Sequence, residues 1–524
     1  MTSAIDDADL GLHMAARTVL ERCPEPTNAL EVATVLETCG YTERRARAMG
    51  AASVLDLSHA VLGLLPMYGS SRRAAEIPVA PRRRSRPLVA FARGLLSSSA
   101  WLVGLATTLV AGVSFWASAV ATESVAVAVS LAATVGLIVV APFVQAFGRR
   151  ASFYLGLGDQ GMVVRIHRWT LELGLAATVV TAAGLYLVRE DLLGVGTPAS
   201  NQLGLAAALA IGGLQVGLAS FYLRRAFVAM AAVIVGGSAL LVWHTLRAGP
   251  YLDPVDLAVW QVRLVAVTAA VAWASSAWWL LRVADLGHDP IWRPIGGAVL
   301  RAVGPYAAYG LAFFCVVTLP QVVGGGVWLG RYQFNSTVAL IDGTAMLVLV
   351  PVLAQTTAVV ESVTIDTFPE ALAIYRTGEI AAFRHAMHHW WRRRLVAVAS
   401  LGVAACIAID AAALAFGTSV GMLRALHGHT ALLLITTVAM LMFGLGTFAA
   451  QILLALSAPG PALRAAWTAV AALVAVSGVT SLTSTPTDAA LLALLAASAV
   501  FGSMAVLAAD RAFQRADLTY YRTM

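Results

Sequence analysis

The chain contains no lysine: all thirty-five basic residues among its 524 are arginine. Charge of either sign is scarce, with 12% of residues charged against 59% hydrophobic, and the mean hydropathy is +0.79. That balance excludes a soluble enzyme and places the chain among polytopic membrane proteins. Cysteine is equally sparse. Cys23, Cys39, Cys315 and Cys406 have no metal-ligand spacing, and two of them fall in apolar runs, so neither a disulfide framework nor a zinc site is expected. There is no Gly-x-x-x-x-Gly-Lys-Ser/Thr loop, which excludes ATP hydrolysis through that phosphate cradle. No secretory leader pattern opens the chain. The net charge of +7 points to no particular partner, because cytoplasmic loops of membrane proteins carry such an excess. Its all-arginine form, in an alanine-rich chain, is what GC-rich coding produces, although arginine also suits phosphate better than lysine.

What is there is a rhythm of long apolar runs and short polar ones, clearest from Pro305 to Arg394. Two runs, 305–329 and 336–360, each exceed the ~20 residues that cross a bilayer core, and the longest internal polar segment, 361–394, follows them. Similar runs occupy 95–121, 124–147, 170–188, 202–222, 226–246 and 258–281, then 303–329, 336–360, 395–417, 430–457, 461–482 and 488–509. The sequence therefore predicts an all-α polytopic membrane protein of about twelve transmembrane helices in two six-helix halves. The arginines agree with this count. Arg149, Arg150, Arg165, Arg168, Arg224, Arg225, Arg282, Arg293, Arg301, Arg376, Arg384, Arg392 to Arg394, Arg464, Arg511, Arg515 and Arg522 fall on one side, and only Arg189, Arg247, Arg263, Arg331 and Arg424 on the other. The richer side is read as cytoplasmic. Both termini then lie there, and the protein belongs in the cell inner membrane.

The expected organisation is a cytoplasmic helical domain over 1–66, a basic Pro/Arg linker over 67–90, the first half over 91–283, an inter-half loop over 284–302, the second half over 303–509 and a tail over 510–524. Asn28 and Glu31 form a capping-box-like pair, Gly40 sits where a helix should stop, and Leu57, Val61, Leu64 and Leu65 share one helical face. Arg82, Arg83, Arg84 and Arg86 just before the first span suit anionic lipid, and no interleaved aromatics or nucleic-acid motif accompany them. Each second-to-third connection, 148–169 and 361–394, is long and carries arginine. That is a parallel repeat, a plan on which secondary transporters place their substrate path between halves.

At two places the residues resemble a family. The stretch Arg93-Gly-Leu-Leu-Ser-Ser-Ser-Ala-Trp-Leu102 is similar to the first span of Pel-type exopolysaccharide transporter membrane proteins, within the multidrug/oligosaccharidyl-lipid/polysaccharide (MOP) exporter superfamily. Asp342, Leu-Val-Leu-Val-Pro351, Ala354, Glu361, Phe368 and Tyr375 resemble it again. Where that family has Gly-Pro this chain has Ser99-Ala100, which removes an expected kink before Trp101, and Ile341 replaces an aromatic; the leading 66 residues are extra. The resemblance implies export or flipping of a polysaccharide or lipid-linked glycan, with membrane lipid, the glycan and a cytoplasmic glycosyltransferase or synthase as partners, without a cofactor.

The candidate residues each carry two readings. Asp342, inside an apolar run, is either a group of the transport pathway or one end of a helix–helix hydrogen bond. Asp410 is a second pathway candidate or simply reaches water at a helix end. Glu361 and Tyr375 are cytoplasmic gate candidates, and Gly324, Gly325 and Gly326 are either a hinge or a close-packing site. His385 and His389, four apart, have the spacing of a metal pair. Trp390, Trp391 and Arg392 to Arg394 beside them read instead as an interfacial helix end, and no metal is assigned. A small-molecule exporter of the same superfamily shares the topology. A membrane-embedded glycosyltransferase needs an external carboxylate, for which only Glu123, Asp253 and Asp256 offer themselves, and a scaffold for glycan synthesis stays open beside it.

Overall fold

The computed structural model describes residues 3–23, 26, 29–69, 87–115, 123–156, 160–193, 198–284, 296–327, 333–362, 380–416 and 428–516. Some side chains within these ranges, including those of Trp101 and Glu361, lie outside the description. The chain divides into two compact units, Met1–Arg84 and Ser85–Met524.

The first unit is built from α1 (Ser3–Arg22), α2 (Ala29–Thr38), α3 (Glu43–Ala48) and α4 (Val54–Gly69). Gly40 ends the second helix with φ +85°, a left-handed turn that only glycine takes without strain. Thr42 then opens the third, its hydroxyl accepting the Arg45 amide. Val19, Val32, Leu36, Leu57 and Val61 meet in a small apolar core, so the face 57–61–65 turns inward as its spacing requires. Asn28 of the expected capping pair lies outside the described residues.

The second unit is built, among its described residues, from α5 (Pro87–Ser97), α6 (Ser99–Ala111), α7 (Glu123–Gly156), α8 (Gln160–Leu193), α9 (Pro198–Arg224), α10 (Phe227–Ala248), α11 (Pro254–Ala284), α12 (Gly296–Gly324), α13 (Ser336–Met346), α14 (Leu349–Ser362), α15 (Ile380–Phe416), α16 (Thr430–Ala455), α17 (Pro459–Thr480) and α18 (Pro486–Gln514), with short turns at the described connections. Among them, ten stretches are long and apolar enough to cross a membrane, or eleven if the bent pair α5–α6 makes one span. The expected third segment, 170–188, falls on α8, several of whose side chains are outside the description.

Two spans are broken, each for a local reason. α5 and α6 meet at 56°, so the kink that Ser99-Ala100 was expected to remove is present. It sits at Ser98, where the hydroxyls of Ser97 and Ser98 both donate to the Gly94 carbonyl, at 2.7 and 3.1 Å, and compete with the helical ladder there. The span 336–360 breaks at Leu347 and Val348. Pro351 has no N–H for the Leu347 carbonyl and its ring crowds that group, so Leu347 accepts from Val350 at 3.2 Å in a tighter turn.

Beside a small cluster around Phe147, Tyr154, Met162 and Ile166, buried side chains of this unit form two large apolar cores. One draws on residues 100–272 and the other on 306–516, the latter joined by Leu105. Within the first, α7 packs on α8 and α9, and α9 on α11; within the second, α16 and α17 both pack on α18. The cores meet where α12 lies on α7 and α5 on α14. Trp391, expected at the interface, is fully buried and stacks between Phe448 and Phe513, centroids 5.4 and 5.3 Å away.

Candidate functional site

The two stretches that carried the family resemblance meet in space. Gly94 of α5 lies so close to α14 that a Cβ there would fall on the backbone of Ala354. Glycine is required at this contact for close approach. Beside it, along the seam of the two cores, is a cavity of about 510 Å³. Ser97 and Ser98 at the α5 break line it, as do Gln145, Phe147 and Gly148 on α7, Gln215 and Tyr222 on α9, Phe313 and Phe314 on α12, Leu353, Thr356 and Thr357 on α14, and Gln451 on α16. Its described lining includes no carboxylate; Arg225, held at φ +53°, is the cation there. Volume and mixed lining are those of a small-molecule site.

Immediately beyond Gly148 the two halves are tied together. Arg149 donates from Nη2 to Ser457 Oγ at 2.6 Å and lies over the Tyr306 ring, 5.2 Å from its centroid. Ser457, at φ +53°, sits in the turn between α16 and α17. Sequence reading placed Arg149 only among the arginines of one side. Partners 308 positions apart leave no trace in a single chain's pattern.

A second feature lies behind the cavity wall. His167 of α8 is fully buried, its ring 4.9 Å from that of Phe147 and 6.5 Å from Trp279, and neither nitrogen has a hydrogen-bond partner among the described residues. Burial, and then the nearby Arg224 guanidinium, push its pKa down to about 4, so the ring is neutral here. Arg224 itself donates to the carbonyl and hydroxyl of Ser275, both at 3.3 Å.

The residues singled out from sequence are scattered around this seam. Asp342 is fully buried and has the Gln321 side chain as its hydrogen-bonding neighbour, with no shorter partner for either oxygen among the described residues. It does not line the cavity; Met346, one turn further along, does. Asp410 is half-buried and accepts a hydrogen bond from Thr437 at 3.2 Å. Glu361 is the penultimate residue of α14 with its side chain outside the description, and Tyr375 lies outside the described residues. Gly324 to Gly326 form a pinned turn. Gly326 has φ +80°, the Asn335 amide donates to the Gly324 carbonyl at 3.0 Å and to Thr487 at 2.9 Å, and a Cβ on Gly324 would lie 2.8 Å from Val338. His385 and His389 stack with centroids 6.4 Å apart, while His388 between them bonds Asp510 at 2.9 Å and so ties α15 to α18.

The bundle, with broken spans flanking a cavity between two cores, has a membrane-transporter fold. No family model matches the sequence, and no curated protein does. Solved structures of MATE family transporters match by fold. An inward-facing multidrug resistance MATE transporter of the MOP superfamily is 13% identical at TM-score 0.53, covering 82% of this chain and 96% of that one. An outward-facing MATE transporter of the same superfamily is 15% identical at TM-score 0.54, covering 82% and 97%. A MATE crystal structure in the straight conformation gives 13%, 0.55, 82% and 96%. The chain thus shares the fold of these MATE transporters.

Proposed function

We propose that the protein is a secondary transporter that exports or flips a polysaccharide or lipid-linked glycan across the cell inner membrane by alternating access, with the arginine-rich end and both termini cytoplasmic. The observation that carries this reading is the cavity on the seam of the two cores, next to a tie between them that a rocking motion can break and remake. Support for alternating access comes from neighbours of the same fold that adopt inward- and outward-facing conformations. Support for a glycan comes from the two resembling stretches, which pack against each other at the cavity, and from a described lining of amides, hydroxyls and aromatic rings without a carboxylate. Asp342, one turn from the wall, acts on the pathway as a buried coupling group, and Asp410 is a second. Glu361 and Tyr375 act at the cytoplasmic gate, and a cytoplasmic synthase supplies the glycan.

A second reading, export of small organic molecules, is favoured by what the fold neighbours are described as transporting. Secreted and intracellular polysaccharide in a deletion strain separates the two. Complementation with wild type restores export, and Asp342→Asn at equal membrane level does not, while glycan builds up inside. Unchanged polysaccharide on deletion would sink the glycan reading and favour drug export.

A further inference from the structure

Most of the hydroxyls that line the cavity donate to the backbone; Ser152 is the exception among the described residues. Tyr222 donates to the Ser97 carbonyl at 2.7 Å, and Thr356 and Thr357 donate to Val352 and Leu353 at 2.7 and 3.0 Å. The carboxamides do not. Gln145 on α7, Gln215 on α9 and Gln451 on α16 are half-buried, face the same space, and make no hydrogen bond among the described residues. Room for one of them is built in: a Cβ on Gly310 would lie 2.5 Å from Gln145 Cγ.

Amides that face a cavity with no protein partner can exchange their water for a ligand, so three of them converging from both sides of the seam form a polar binding surface. Each offers two N–H donors and a carbonyl acceptor with no charge, which matches hydroxyl groups, themselves donor and acceptor at once. An organic cation is held best beside a carboxylate, and the described lining includes none; it meets Arg225 instead. Phe313 and Phe314 add flat apolar faces at the same wall, suited to the C–H face of a sugar ring.

We propose that Gln145, Gln215 and Gln451 form the recognition site for an uncharged, polyhydroxylated group, the sugar of the transported molecule, and that this site selects against organic cations. The assignment rests on the glycan reading above and gives it residues. Gln145 and Gln215 stand in one half and Gln451 in the other, so a sugar bridging them also holds the halves in the arrangement seen here.

The test is equilibrium dialysis on the full chain in nanodiscs, with a radiolabelled N-acetylglucosamine tetramer as neutral probe and tetraphenylphosphonium as cationic probe. Wild type is expected to bind the tetramer and to exclude the cation. Gln145→Leu, Gln215→Leu and Gln451→Leu should each weaken tetramer binding roughly 3- to 30-fold. Gln145→Glu, which keeps size and shape and so guards against a folding defect, should admit the cation. Tetramer binding equal in wild type and all three leucine variants overturns the glutamine site while leaving glycan transport standing. Wild type that takes the cation and ignores the tetramer overturns the site and the glycan reading together.

Discussion

Replacing Gly94 by alanine puts a methyl group where the Ala354 backbone already is. The added Cβ would lie 2.6 Å from the Ala354 Cα and 2.7 Å from its carbonyl carbon, and backbone on both sides leaves no flexible side chain to yield. α5 and α14 must therefore separate by about an ångström. Overpacking of this kind costs about 1–3 kcal/mol. Because this contact joins the two cores, the cost falls on the conformation seen here and not on each core alone. A penalty of that size shifts the balance away from this conformation, toward ones in which the contact is parted, by roughly 5- to 150-fold. The assay is electron–electron distance measurement in nanodiscs between labels on Arg168→Cys and Ala381→Cys, both exposed, in a background lacking Cys23, Cys39, Cys315 and Cys406. Gly94→Ala should broaden and lengthen the distance distribution. Gly343→Ala is the control, since its Cβ would meet only Leu105 Cδ2 at an ordinary 3.6 Å. A Gly94→Ala protein with the wild-type distribution and thermal midpoint would refute the reasoning.

Arg149→Gln and Ser457→Ala should each loosen the same seam by about 1 kcal/mol, and the double variant should cost no more than the worse single one; additive effects measured by the same distances would show that the two side chains act separately. The neutral His167 makes the present packing pH-dependent. Its pKa of about 4 lies below the ordinary ~6.5, so its stabilising contribution is complete above pH 6.5 and falls as pH drops toward 4, by about 3 kcal/mol in all. His167→Phe should flatten that part of the thermal-midpoint profile between pH 7 and 4, and an unchanged slope would count against it. Asp342→Asn is expected to leave the thermal midpoint at or above the wild-type value, since a neutral amide is cheaper to bury than a carboxylate and can still bond the Gln321 side chain, while export is lost; a large destabilisation would mark the residue as structural. Trp391→Ala empties a fully buried stack and should lower stability by about 3–5 kcal/mol, read as a fall in folded yield, whereas Trp390→Ala should do much less.

The sequence by itself determined the class of this protein. Scarce charge and apolar runs of bilayer length, with most arginines on alternate loops, point to a helical bundle in a membrane, an arrangement that satisfies the backbone there. Local chemistry was legible too: Gly40 as a helix stop, Thr42 as a cap, and the face of Leu57 and Val61, because each depends on residues within one or two turns. The kink at Ser98 was misread for the opposite reason. Glycine and proline are visible breakers, whereas two serine hydroxyls turning back to one carbonyl depend on rotamers that spelling does not show. The site itself came only from tertiary structure. Lipid tails are as apolar as a helix neighbour, so an apolar span carries little record of which face is covered and by what. Hence Asp342 drew attention by its charge but sits off the cavity wall, while Gln145, Gln215 and Gln451, unremarkable at positions far apart in the chain, acquire meaning only when three helices bring them to one space. The same holds for Gly94 against Ala354 and Arg149 against Ser457, contacts fixed by how the two cores meet.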